Sequence, residues 1–175
     1  MRKDIPALAI IFILFGAALR FAPHLPNFTP IAAMALFGGV YLNKKYAIIL
    51  PLATMLISDY FIGFYDLKLM LGVYLGFAII GVIGLLVRKN KNIFTVIGGT
   101  IFGSVVFFII TNFFVWAFYN WYAHTPSGLI RCFVMAVPFF RNTLLGDLFY
   151  VGVLFGAYEL IALWLKRRGL ASEKV

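Results

Sequence analysis

Six apolar runs, all but the last two separated by short links, most limit what this chain can fold into. They lie at about residues 5–21, 30–42, 46–63, 69–87, 93–116 and 144–165. A helix crossing the roughly 30 Å hydrocarbon core of a bilayer needs about 20 apolar residues, fewer where protein shelters it. Six such runs use most of a 175-residue chain and leave little for a soluble domain. Composition agrees: 63% of residues are hydrophobic and 12% charged, about half the charge of an ordinary soluble domain. The expected fold is all-α, one integral membrane domain over residues 1–175, built as a polytopic bundle of six transmembrane helices. The same composition excludes a disordered chain, a disulfide scaffold and a nucleic-acid module, the net charge of +9 notwithstanding.

The basic residues orient the bundle. Arg2 and Lys3 precede the first run, Lys44 and Lys45 follow the second, and Arg88, Lys89 and Lys91 follow the fourth. Lys166, Arg167, Arg168 and Lys174 follow the sixth. These are eleven of the 15 Lys and Arg, and all fall on one side of an alternating six-span chain. Arg20, Lys68, Arg131 and Arg141 fall on the other. An excess of Lys and Arg marks the cytoplasmic face, so both termini are expected in the cytoplasm. Residues 1–20 have the build of a signal peptide, a basic start before an apolar run and small residues. They are read as a retained first span, because cleavage would leave five spans and split the termini. The stretch between spans five and six, with Arg131 and Pro138, is expected to be a short interfacial segment, with a re-entrant seventh segment as the alternative.

Lipid gives helices no hydrophobic reason to associate, so small residues must let backbones approach. The pairs Gly72/Gly76, Gly99/Gly103 and Gly152/Gly156 are spaced for this, and span two carries Ala32, Ala35, Gly38 and Gly39. Thr29 is expected to cap span two, with Pro30 at its first helical position.

Polar side chains within spans are costly and mark functional positions. In span six, Asp147, Tyr150 and Tyr158 share one helical face, with Gly152 and Gly156 roughly opposite and available for packing. Asp147 either meets a ligand or pairs with Arg141 or Arg131. In span five, Asn112, Trp116, Tyr119 and Asn120 follow helical spacing. Amides beside aromatic rings suit a planar, hydrogen-bonding ligand, and an aromatic belt at the interface is the competing reading. Asp59 binds a ligand, pairs with Arg20, or caps the end of span three. No role follows for Glu159. The polar groups gather at the outer end, where four basic residues nearly balance Asp59, Asp66 and Asp147, as befits capture of a small organic molecule rather than an ion filter.

No phosphate-binding GxxxxGK[ST] loop, nucleophilic triad or HExxH helix is present, and His24 and His124 lack a matching ligand set. No enzyme activity, metal or cofactor is expected. Asp147 follows Gly146, but the GxGD pattern of intramembrane aspartyl proteases would need Gly at Leu144. The lone Cys132 excludes an intrachain disulfide and is read as a passive apolar thiol.

Three segments carry a resemblance: HLPNFTPIAAMALFGG (24–39), PLATMLISDYFIG (51–63) and GLIRCFVMAVPFFRNTLLGDLFY (128–150). They resemble an uncharacterised family of small bacterial membrane proteins of transport type. That family in turn is similar to the substrate-binding S components of energy-coupling factor (ECF) vitamin transporters, through size, six spans and cytoplasmic termini. The resemblance implies an outward-facing cavity that binds a vitamin-like nutrient, a partnership with an ECF coupling subunit and ATPase pair, and residence in the bacterial cytoplasmic (inner) membrane. The Ala-xxx-Ala coupling face of many S components has no clean copy in span one: Ala18/Ala22 sits at its outer end, and Ile11 and Ile13 follow Ala7 and Ala9 by four residues. The expected substrate-binding residues are Arg20, Asn27, Asp59, Asn112, Trp116, Tyr119, Asn120, Arg141, Asp147 and Tyr150. The alternative is an envelope structural or assembly protein that docks partner helices on its glycine faces.

Overall fold

The computed structural model describes residues 4–21 and 26–168. Arg2, Lys3, Ala22, His24 and Lys174, which enter the readings above, lie outside the described residues. The described chain is all-helical, with α1 (Asp4–Leu19), α2 (Ile31–Tyr41), α3 (Lys44–Ile62), α4 (Leu67–Val87), α5 (Ile93–Phe118) and α6 (Pro126–Arg167), and a 3-10 turn at Arg88–Asn90 after α4. Four helices, α3 to α6, are long and apolar enough to cross a membrane, while α1 and α2 are shorter apolar helices. Large apolar side chains cover the outside, including Phe15, Ile57, Phe61, Phe102 and Leu160. That surface suits lipid rather than water.

Local chemistry sets the helix starts. Asp66 caps α4 by accepting from the backbone N–H groups of Lys68 and Leu69. Asn92 and Thr95 form a reciprocal capping box at α5. Thr125 caps α6, accepting from Gly128 N, with Pro126 at the first position. Span two begins differently from the sequence expectation: Pro30 itself is the cap residue, α2 starts at Ile31, and no side chain caps it.

At 11 residues, α2 is about 16 Å long, half the thickness of a hydrocarbon core. It is also the centre of the molecule. It touches every other helix, and all its residues from Ile31 to Val40 are buried. A helix apolar on every face is one enclosed on every face, and Ala and Gly let neighbours close in. At its C-terminal end Gly39 meets Gly84 backbone to backbone, and a Cβ on Gly39 would lie 2.4 Å from the Gly81 carbonyl oxygen. Arg88 finishes this end by donating to the free Leu42 carbonyl at 2.7 Å.

The segment expected to be a separate interfacial piece is instead continuous with the sixth helix. Residues 126–143 are the first part of the 42-residue α6, which is about 63 Å long. Pro138 sits within it. Proline removes one backbone donor but does not end a helix that neighbours support, and α5 supports this one. Phe108 packs on Phe133 and Phe140, and Cys132 Sγ donates to the Asn112 carbonyl at 3.5 Å.

The glycine pairs divide. Gly72 and Gly76 receive the rings of Phe114 and Phe107 from α5, and Gly99 and Gly103 receive Val87 and Ile80. Gly152 and Gly156, expected to pack, have no heavy atom within 4 Å of a would-be Cβ. They face outward because Val151, Leu154, Phe155 and Tyr158 occupy the inner face of α6.

Candidate functional site

The end of α1, residues 26–30 before α2, the α3–α4 link and the α5–α6 link gather at one end of the described bundle, opposite the Lys- and Arg-rich links. There the helices stand apart around a cavity of about 370 Å³. Arg20 just past α1, the start of α2, the second half of α3, the first half of α4, the second half of α5 and the middle of α6 contribute to its wall. On α6 the lining positions are Ala136, Phe139, Phe140, Thr143 and Asp147, a helical face.

Of the ten residues expected from sequence, four line this cavity: Arg20, Asn27, Asn112 and Asp147. Arg20 lies just beyond α1. One guanidinium nitrogen donates to the Met55 carbonyl at 3.1 Å and to Ser58 Oγ, and the other meets Asp59 Oδ1 at 2.7 Å. Asp59 is 1% exposed, and its second oxygen accepts from the Tyr74 hydroxyl at 2.8 Å. Of the three roles open to Asp59, pairing with Arg20 is the one observed, and the pair ties α1, α3 and α4 behind the cavity wall. Asn27 adopts φ +62° in the link before α2, a left-handed conformation that Asn tolerates better than most residues. Asn112 donates an N–H to the Phe108 carbonyl of its own helix at 2.8 Å.

Asp147 pairs with neither Arg141 nor Arg131. It is 3% exposed, and Ser104 Oγ donates to its Oδ2 at 2.6 Å. The arginines cannot reach it because both are exposed on other faces of α6.

The remaining expected residues stand elsewhere. Trp116 donates its indole N–H to the Ala123 carbonyl at 2.9 Å and packs edge-on against His124, which pins the α5–α6 link. Tyr119 caps α5 and donates its hydroxyl to Asp66. That bond holds the Asp66 carboxyl below its usual range, and it raises the Tyr119 hydroxyl. Asn120 and Arg141 are exposed. Tyr150 packs against Phe28 and Phe149. Helical spacing in α5 placed Asn112 and Trp116 on one stripe, but only the Asn112 level reaches the cavity; beyond it the stripe meets the link to α6.

Several wall residues have no expectation in the sequence reading: Tyr65, Phe77, Phe107, Thr111 and Thr143 among them. Burial and the charge of nearby Asp59 push the Tyr65 hydroxyl up to about 12. Extending the Asp147 face backwards at helical spacing finds Thr143, Phe140 and Ala136, provided the Pro138 segment is taken as helix. Ser104 carries no sequence signal, since its partner lies 43 residues away.

At the opposite end, Glu159 accepts from Tyr41 and from Lys91 at 2.6 Å, with the Lys91 ammonium over the Tyr41 ring. This joins α2, α6 and the link before α5. Among the described residues no group of three His, Cys, Asp or Glu side chains is placed to hold a metal ion.

Residues 2–169 match the model of a family of unknown function (DUF6580), and the chain belongs to that family. No curated protein and no solved structure matches it.

Proposed function

We propose that this DUF6580 member is a membrane-embedded substrate-binding protein for uptake of a small nutrient, similar in operation to an ECF S component. The observation that carries the reading is the cavity. It has about 370 Å³, within the range of small-molecule sites, and a mostly apolar wall with a few polar groups. It also lies at the end of the bundle with few basic residues. With the basic links in the cytoplasm, six membrane-inserted helices and cytoplasmic termini follow, and the cavity opens outward from the inner membrane. The chain has no nucleotide-binding loop, so energy comes from a partner, an ECF-type coupling subunit with its ATPase pair.

A second reading, an envelope assembly protein that docks helices, draws on the outward face of Gly152 and Gly156. One experiment separates the two. Protein taken from native membranes into nanodiscs is examined by native mass spectrometry. The uptake reading expects a small-molecule adduct that Ala136→Trp, which fills the cavity, removes while the protein stays folded. Wild-type protein with an empty cavity and a stoichiometric helical partner overturns it in favour of docking.

A further inference from the structure

The occupant of the cavity can be narrowed by the charge and the aromatic surface of its wall, an inference that rests on reading the cavity as a ligand site. Two carboxylates lie near it, and only one is neutralised. Asp59 is matched by Arg20 at 2.7 Å. Asp147 has no cationic partner among the described residues, and its one hydrogen bond is to Oδ2. No fully buried side-chain oxygen lacks a partner among the described residues, so Asp147 Oδ1 is not sealed in protein. Asp147 is part of the cavity wall, the open space beside its carboxyl. An ionised carboxylate held in an apolar bundle is strongly unfavourable until a cation or a proton answers its charge.

The neighbouring polar groups are directed the same way. Thr111 Oγ1 donates to the Phe107 carbonyl at 2.9 Å, and Thr143 Oγ1 to the Phe139 carbonyl at 3.1 Å. Asn112 directs an N–H to the Phe108 carbonyl. Each turns a donor back on its own helix and keeps an acceptor lone pair, and Asn112 keeps its second N–H as well. Arg20 directs three N–H groups away from the cavity occupant, to Met55, Ser58 and Asp59. Phe107, Phe108, Phe139 and Phe140 supply aromatic surface, and ring faces attract cations.

From this wall, aromatic and carrying one unmatched carboxylate with hydroxyl and amide oxygens beside it, we propose that the ligand is a protonated primary or secondary amine on a compact apolar body. Its ammonium N–H groups meet Asp147 Oδ1, with Asn112, Thr111 and Thr143 as further acceptors, and its body lies among the phenylalanines.

The test uses the full chain in nanodiscs and three probes of similar shape: 2-phenylethylammonium, 2-phenylethanol and phenylacetate. Equilibrium dialysis is expected to show the ammonium binding at least about tenfold more tightly than the alcohol, with Asp147→Asn bringing the two within about twofold. Alcohol or phenylacetate binding as tightly as the ammonium overturns the proposal, as does a preference that survives Asp147→Asn. If that variant does not fold, the wild-type comparison decides alone. Neutral or anionic probes that bind, and are lost in Ala136→Trp, overturn the amine while leaving the ligand site standing. Binding of none of the three overturns the amine, and the native adduct separately decides the site.

Discussion

The two ends of this bundle use the same residue type in opposite ways. At the end with the basic links, Gly39 and Gly84 let α2 and α4 touch backbone to backbone. Toward the other end, Gly72 and Gly76 of the same α4 accept whole phenylalanine rings from α5. The first arrangement closes the bundle, and the second spreads it around a cavity. A third pair, Gly152 and Gly156, touches nothing within 4 Å. Glycine spacing therefore permits closeness, and what the neighbour brings decides whether it is taken up by backbone, by a ring or not at all.

The comparison breaks most visibly at the closed end. Gly39→Leu puts side-chain atoms into the α4 backbone, which cannot move aside as a flexible side chain can. The expected loss exceeds about 4 kcal/mol, read as failure to recover monodisperse protein after detergent extraction. Gly152→Ala is the matched control, expected to change stability by less than about 0.5 kcal/mol. Equal tolerance of both would show that the crossing is not what holds the closed end.

The open end needs a different fastening, and the Arg20–Asp59 pair supplies it. Arg20→Met leaves Asp59 buried without its counter-charge and is expected to cost about 3–5 kcal/mol, while replacing both with apolar residues recovers much of that loss. Thermal unfolding of the single and double variants measures this. A double variant no better than the single one would locate the stabilisation in the Tyr74 and Ser58 contacts instead.

The smallest effect sharpens the comparison at the rim of the open end. The Tyr119 hydroxyl holds the exposed Asp66 carboxyl below its ordinary value. A depressed carboxyl stabilises the folded state above the unfolded pKa of about 4, and the contribution is lost as pH falls through the lower folded value. Amide protection across residues 119–125, measured against the intrinsic exchange rate at each pH, should fall in acid, and Tyr119→Phe should remove that dependence while raising the Asp66 pKa seen by NMR. An unchanged acid profile in Tyr119→Phe would leave the α5–α6 link held by Trp116 alone.

Much of the fold is visible in the linear pattern, for reasons that are local. The apolar runs give helices because a chain in lipid must satisfy its backbone internally, and Asp66, Asn92 and Thr125 mark three starts through capping. The exceptions are instructive. Pro138 and Arg131 read as the break between a helix and an interfacial loop, yet α6 continues through both, because packing on α5 outweighs the lost backbone bond. Span two is apolar all round, which signals burial but not which helices do the burying. In the candidate site, Arg20, Asn27, Asn112 and Asp147 were legible as polar groups within or flanking apolar segments. Trp116, Tyr119 and Tyr150 were equally conspicuous and do not line this cavity, since an aromatic side chain serves packing as readily as binding.

Taken by itself, the sequence determined the helices, their order, the small residues that let them close and the few polar groups they must accommodate, because each follows from neighbours along the chain. Tertiary structure alone decided that α2 is central, that Asp59 is paired while Asp147 is not, and where a cavity stands open. Those depend on contacts between residues such as Ser104 and Asp147 or Arg20 and Asp59, far apart in sequence and joined only when all six helices have packed.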